Sequence, residues 1–242
     1  MPDPHLLVVN GDSNTWGSEH DDRERTTWAA VAGVELGIPV VNLAIPGGSN
    51  ARLVRTTVEF LPAVAARRGV PPERMLFVGM WTFPNRREHW GNGPHRWALS
   101  GEQFDDGHWR GVGPWGIEAG YRPAIAWYRD LHQDHASLEE FFCSTVLLEQ
   151  WLAAHGFRFT LTAAYDFISA SDLETYAAYV AQMDDHHYLG GVAGLGPCAF
   201  RTLVDHLGDR GPNGHKLAPS HRYYAEQHLV PHLRRQVELA PA

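Results

Sequence analysis

Cysteine is scarce: Cys143 and Cys198 are the whole supply. Two thiols make no disulfide framework, which points to a reduced, cytoplasmic setting with both side chains buried as small apolar groups. Long hydrophobic runs are missing too. Met1-Pro2-Asp3-Pro4-His5 has no basic region, and the apolar stretch after it is only a strand in length, so neither a signal peptide nor a membrane helix is expected. Positive charge is short: the formal charge is −8 at pH 7, which works against a grip on nucleic-acid phosphates or anionic lipid. The local pairs Arg67-Arg68, Arg86-Arg87 and Arg234-Arg235 are expected on the solvated surface. Histidine ligand pairs at zinc-protease spacing are absent from His89, His95 and His108 and from the run Asp184-Asp185-His186-His187. No metal and no cofactor is therefore expected.

What is present describes a globular protein at the upper end of one domain. Its 242 residues are 44% hydrophobic and 20% charged, with nine Trp and fifteen His, enough to bury a core without staples. Leu6-Leu7-Val8-Val9 is a continuous apolar run ending in Asn10-Gly11-Asp12-Ser13, the pattern of a buried parallel strand and a turn. Thr26 or Thr27 caps a helix carrying Trp28, Val31, Val34 and Leu36 that stops at Gly37. Val40 to Leu43 forms a second strand. Ser49 or Asn50 caps a helix through Leu53, Val54, Val58 and Leu61, and Arg74 to Gly79 forms a third strand. From Thr82 to Tyr128 the regularity vanishes amid Gly, Trp, His, Arg and Pro. A helix over 137–155 and a strand over Phe157–Thr162 follow, then a helix over 171–183, a Gly-rich loop over 190–196 and a final helix over 219–236.

Strands alternating with helices predict an α/β fold: a flavodoxin-like three-layer α/β/α sandwich, with a central parallel sheet and a long irregular insertion. The expected organisation is one domain over 1–242, in which residues 82–130 form a lid or substrate-binding region. Ligands in such sheets sit at the carboxyl ends of the strands. The polar clusters fall there: Gly11-Asp12-Ser13 after the first strand, Gly47-Gly48 after the second, Trp81 to Asn85 after the third. Ser13 is a candidate nucleophile that needs a base to take its proton.

Gly11-Asp12-Ser13-Asn14-Thr15-Trp16-Gly17 resembles the first block of the SGNH (GDSL-like) hydrolases, and Asn42-Leu43-Ala44-Ile45-Pro46-Gly47 resembles their second. Asn213-Gly214-His215, ahead of a helix carrying His221, resembles the last. The resemblance implies Ser13 as nucleophile, His215 as base, and the N–H groups of Ser13 and Gly47 as oxyanion donors; His221 is expected to face the core or a helix surface, and is the alternative base. Two departures mark a divergent subgroup. Trp81 stands where the third block has an oxyanion Asn, and Asn85 is four residues further on. Asn213 and Pro212 stand where the last block has its Asp, while Asp209 lies six residues before His215. Asn213 is the slightly favoured orienting group and Asp209 the alternative. Asp12 and Arg86 are expected near the substrate, with Arg86 and Glu88 either contacting it or pairing with each other.

The implied activity is serine-dependent hydrolysis of a small-molecule or sugar ester through an acyl-enzyme. The alternatives are an acyltransferase of the same fold, or a binding protein whose catalysis has weakened with the loss of the Asn and Asp.

Overall fold

The computed structural model describes residues 4–91, 96–99, 102–105 and 109–239. Four parallel strands form its centre: β1 (Leu6–Asn10), β2 (Val40–Asn42), β3 (Met75–Trp81) and, later in the chain, β8 (Arg158–Ala163), in the order β2-β1-β3-β8. Val8 pairs with Val41 on one side and with Phe77 on the other, and Val78 in turn pairs with Thr160. Leu161 bridges to Tyr188 in parallel, which occupies the position a fifth strand would take.

Alternate side chains along β1 divide the core. Leu6 and Val8 join Phe60, Leu61, Phe141 and Phe142 on one face. Leu7 and Val9 join Trp28, Tyr224, Leu229 and Leu233 on the other. This period of two lets one strand seal two helical layers. Helices Asn50–Arg68 and Asp134–Ala154 form the first layer, and helices Trp28–Leu36, Ala218–Tyr224 and Val230–Leu239 the second. Each fully buried aliphatic or Phe side chain contributes roughly 1.5–3 kcal/mol.

Helix boundaries follow local chemistry. Thr27 accepts a hydrogen bond from the Ala30 N–H at the start of its helix, and Ser49 does the same for Arg52. Gly37 and Gly69 close these helices in the left-handed conformation. Among the described residues no helix is long and apolar enough to cross a membrane.

Three local expectations are corrected. The stretch expected to lack regular structure contains two antiparallel pairs: β4 (Arg87–Trp90) with β7 (Trp109–Val112), and β5 (Arg96–Leu99) with β6 (Glu102–Asp105). Four-residue strands offer too few alternations to register as a period. The helix expected over 171–183 is two, Ala170–Thr175 and Ala177–Val180. It breaks at Tyr176, which turns inward to stack on Phe142 at 4.7 Å. Cys143 and Cys198 are free and only half-buried.

Candidate active site

In a 2-1-3 strand order the crossovers from β1 and β3 leave the sheet in opposite directions, which opens a crevice at the carboxyl ends of these strands. A cavity of about 520 Å³ lies there, lined by Ser13, Gly47, Arg86, Trp115, Tyr165 and His215 among others. Ser13 begins the short helix Ser13–Trp16, directly after β1. Asp12 caps that helix by accepting from the Asn14 N–H, and the helix ends in left-handed Gly17. Gly47, with φ 71°, brings its backbone against the same cavity, and a Cβ added there would meet the Trp115 ring at 3.0 Å. Asn42 supports this corner, donating to the Thr15 carbonyl and accepting from the Ala44 N–H.

The group that holds His215 is Glu19. One carboxylate oxygen accepts from His215 Nδ1 at 2.7 Å and from the His215 backbone N–H at 3.0 Å. The other accepts from the backbone N–H of Asn213 at 2.7 Å and from its Nδ2 at 3.1 Å. Burial pushes the Glu19 carboxyl up, but the backbone donors of Asn213 and His215, with the His215 ring, outweigh it and bring the pKa down to about 2. Glu19 is thus ionised at neutral pH and fixes the proton of His215 on Nδ1, leaving Nε2 as the nitrogen able to act as base.

This corrects both expected orienting groups. Asn213 does not orient the ring; it donates to the carboxylate that does. Asp209 faces the other way, accepting from the backbone N–H groups of Leu217 (3.0 Å) and Ser220 (3.2 Å) and from the Ser220 hydroxyl. It caps the helix Ala218–Tyr224. The turn after it is tight, with Gly211 donating to the His215 carbonyl and Gly214 to the Gly211 carbonyl. That turn delivers His215 to Glu19 and leaves Asp209 behind. Sequence reading missed Glu19 because it lies in an irregular stretch, far in sequence from its partners. The one local signal is an acidic residue six positions after the nucleophile.

Asp12 is enclosed behind Ser13 and does not line the cavity. Its buried carboxylate accepts from the Asn14 N–H (2.9 Å) and Nδ2 (3.0 Å), from Thr82 Oγ1 (2.9 Å) and from Arg86 Nη1 (2.7 Å). Arg86, 8% exposed, lines the cavity. Its guanidinium lies 5.1 Å from the Trp115 ring centre and 5.6 Å from those of Phe83 and Tyr165. Burial works against its charge, but Asp12 more than restores it, so Arg86 stays a cation. Glu88 does not pair with Arg86. It takes Arg55 in a bidentate bridge, both bonds 2.8 Å long.

The remaining expected residues are elsewhere. Trp81 is fully buried and meets Phe141 edge to face at 5.4 Å, so its ring faces the core instead of the cavity. Asn85 uses its carbonyl to accept from Trp127 and Tyr128, and its side-chain oxygen is buried without a partner among the described residues. His221 is buried, accepts from the Trp28 N–H on Nδ1 at 3.1 Å, and packs against His20 and Phe200. Desolvation, then the neighbouring His20, hold it neutral. It caps a helix in the core.

Among the described residues no group of three His, Cys, Asp or Glu side chains is placed to hold a metal ion. His89 bonds Tyr121, His187 bonds Glu149, and Asp184 and Asp185 accept from local backbone N–H groups. His95 and His108 lie outside the described residues.

Residues 8–241 match the sequence profile of a family described as "Family of unknown function (DUF6071)". No curated protein sequence matches the chain. Among solved structures it is similar to TesA, at a TM-score of 0.51 and 16% identity over 96% of this chain and 99% of that one. It is also similar to LAE5, an alpha/beta hydrolase enzyme from the metagenome of Lake Arreo, Spain (TM-score 0.48, 11% identity, 100% and 99% covered). A third is a catalytic mutant of Axe2, an acetylxylan esterase from Geobacillus stearothermophilus (TM-score 0.44, 12% identity, 99% and 97% covered). At such identity the likeness to TesA is one of fold.

Proposed function

The chain belongs to this DUF6071 family of unknown function, and we propose that it is a serine-dependent ester hydrolase of the SGNH type. In this reading it acts as one domain over 1–242, with residues 82–130 forming the substrate-binding side of the cavity. The observation that carries the reading is the carboxylate of Glu19 on His215 Nδ1, at the edge of a cavity that also holds Ser13 and Gly47.

The chemistry then runs as acyl transfer. His215 Nε2 takes the proton of Ser13 as its oxygen bonds to the ester carbonyl carbon. The C–O bond to the leaving alcohol breaks, and that oxygen receives the proton from His215. A water molecule, deprotonated by His215 in turn, attacks the acyl-enzyme; the acid departs and Ser13 recovers its proton. Glu19 stabilises the imidazolium in both halves. The N–H groups of Ser13 and Gly47 face the developing oxyanion, each such donor typically being worth about 3 kcal/mol of barrier. Glu19 also supplies the acid whose absence from the last block favoured a catalytically weakened binding protein.

A fluorophosphonate probe tests the reading. We expect one adduct, on Ser13, together with hydrolysis of a short activated ester, and loss of both in Ser13→Ala. Labelling that persists in Ser13→Ala would refute the assignment.

A further inference from the structure

An SGNH-type site ordinarily completes its oxyanion hole with a side-chain amide after the third strand. Here neither candidate serves: Trp81 is turned into the core, and Asn85 does not line the cavity. Arg86 enters the cavity from that strand end. Resting on the reading above, we propose that Arg86 is the third oxyanion donor, so that the hole is built from two backbone N–H groups and a guanidinium.

Three observations carry this. Arg86 is tied at 2.7 Å to Asp12, the residue preceding the nucleophile, so its position is fixed relative to Ser13. The surrounding Trp115, Phe83 and Tyr165 rings leave it little rotamer freedom, and a donor placed in advance needs no reorganisation as charge develops. Arg86 still lines the cavity with 8% of its surface exposed, so part of the side chain is open to an acceptor arriving with the substrate.

The other cavity cations and amides are committed. Arg52 donates to the Leu43 carbonyl, Arg110 to the Trp109 carbonyl and Asn213 to Glu19. Tyr165 is the one rival, since its hydroxyl accepts from Asn14 beside the nucleophile. Burial, then the Asp12 charge, raises its pKa and keeps it a neutral donor.

The test compares Arg86→Met, Arg86→Lys and Tyr165→Phe on an activated ester and on its thionoester, whose sulfur accepts hydrogen bonds poorly. With Arg86 as donor, Arg86→Met should lower kcat about 10²–10³-fold on the oxygen ester with KM little changed. It should also shrink the preference for oxygen over sulfur. Arg86→Lys should lie between, and Tyr165→Phe, whatever it does to kcat, should keep the wild-type preference for oxygen over sulfur. Should Arg86→Met fail to fold with Asp12 left unpaired, Arg86→Lys alone decides, read by the same kcat loss and the same oxygen-to-sulfur ratio. A folded variant with undiminished kcat overturns the inference, as does a rise in KM alone or a Tyr165→Phe loss that replaces the Arg86 effect. These outcomes are distinct from failure of the site reading itself, which shows in the wild-type chain as absence of the Ser13 adduct.

Discussion

Glu19 sits at φ 67°, the one left-handed non-glycine residue among those described. Such a conformation costs an L-residue on the order of 1–2 kcal/mol, and persists only where its surroundings over-determine it. Four hydrogen bonds from Asn213 and His215 do so here. They also favour the charged form: a pKa of about 2 instead of 4.5 corresponds to about 3 kcal/mol for this side chain, which is only 12% exposed. Glu19→Gln keeps the size but removes the charge that, in the proposed reaction, stabilises the imidazolium. In a serine-protease triad the equivalent change costs about four orders of magnitude in kcat. We expect Glu19→Gln to lower kcat by about 10²–10⁴-fold with KM nearly constant, measured on one activated ester. A variant within a factor of two or so of wild type would mean that Glu19 only anchors the loop.

The elements show how one turn chooses between two carboxylates. Helix Ala218–Tyr224 begins at Leu217, which has no side chain able to cap it, and Asp209 supplies the acceptor from outside. Removing a cap of this type costs about 1–2 kcal/mol. Asp209→Ala should therefore lower the melting temperature by several degrees while kcat changes only a few-fold. A loss of orders of magnitude would return Asp209 to the reaction. This division also separates what the sequence makes legible from what it hides. That Ser13, Gly47 and His215 meet at one cavity could be read because strand ends and a pre-helical histidine carry local signatures: an apolar run, then Gly and polar residues. The three-layer fold was legible for the same reason. Glu19 depends on a contact across almost the whole chain, and nothing in its neighbours announces a left-handed residue. The strands β4 and β7 were hidden by their brevity, although the pairing of Trp90 with Trp109 at their ends is a clear cross-strand contact once the fold is known.

For the molecule as a whole, stability should respond to acid in two windows set by groups of opposite charge type. Burial, then repulsion from Arg235, lowers the pKa of His232 from 6.5 to about 4, and His20, His221 and His228 shift in the same direction. Each is neutral in the fold and protonates more readily when unfolded. Between pH 6.5 and 4 the unfolded chain binds more protons, so stability is full above 6.5 and falls as the pH drops towards 4. His232 alone accounts for about 3 kcal/mol of that loss. In the second window Glu19 is joined by Asp130, held low by Arg129, and Asp205, held low by Lys216 and Arg210. The folded pKa of Glu19 lies below the unfolded value of 4.5, so its contribution is intact above 4.5 and disappears as the pH falls towards 2. Urea melts across pH 2–7 can separate the two. His232→Leu should flatten the upper window and leave the lower one in place. Glu19→Gln should lower stability at neutral pH, keep the decline between 6.5 and 4, and show a smaller further decline below 4.5. If His232→Leu leaves the slope between pH 6.5 and 4 unchanged, burial of neutral His232 is not what makes the fold acid-sensitive there.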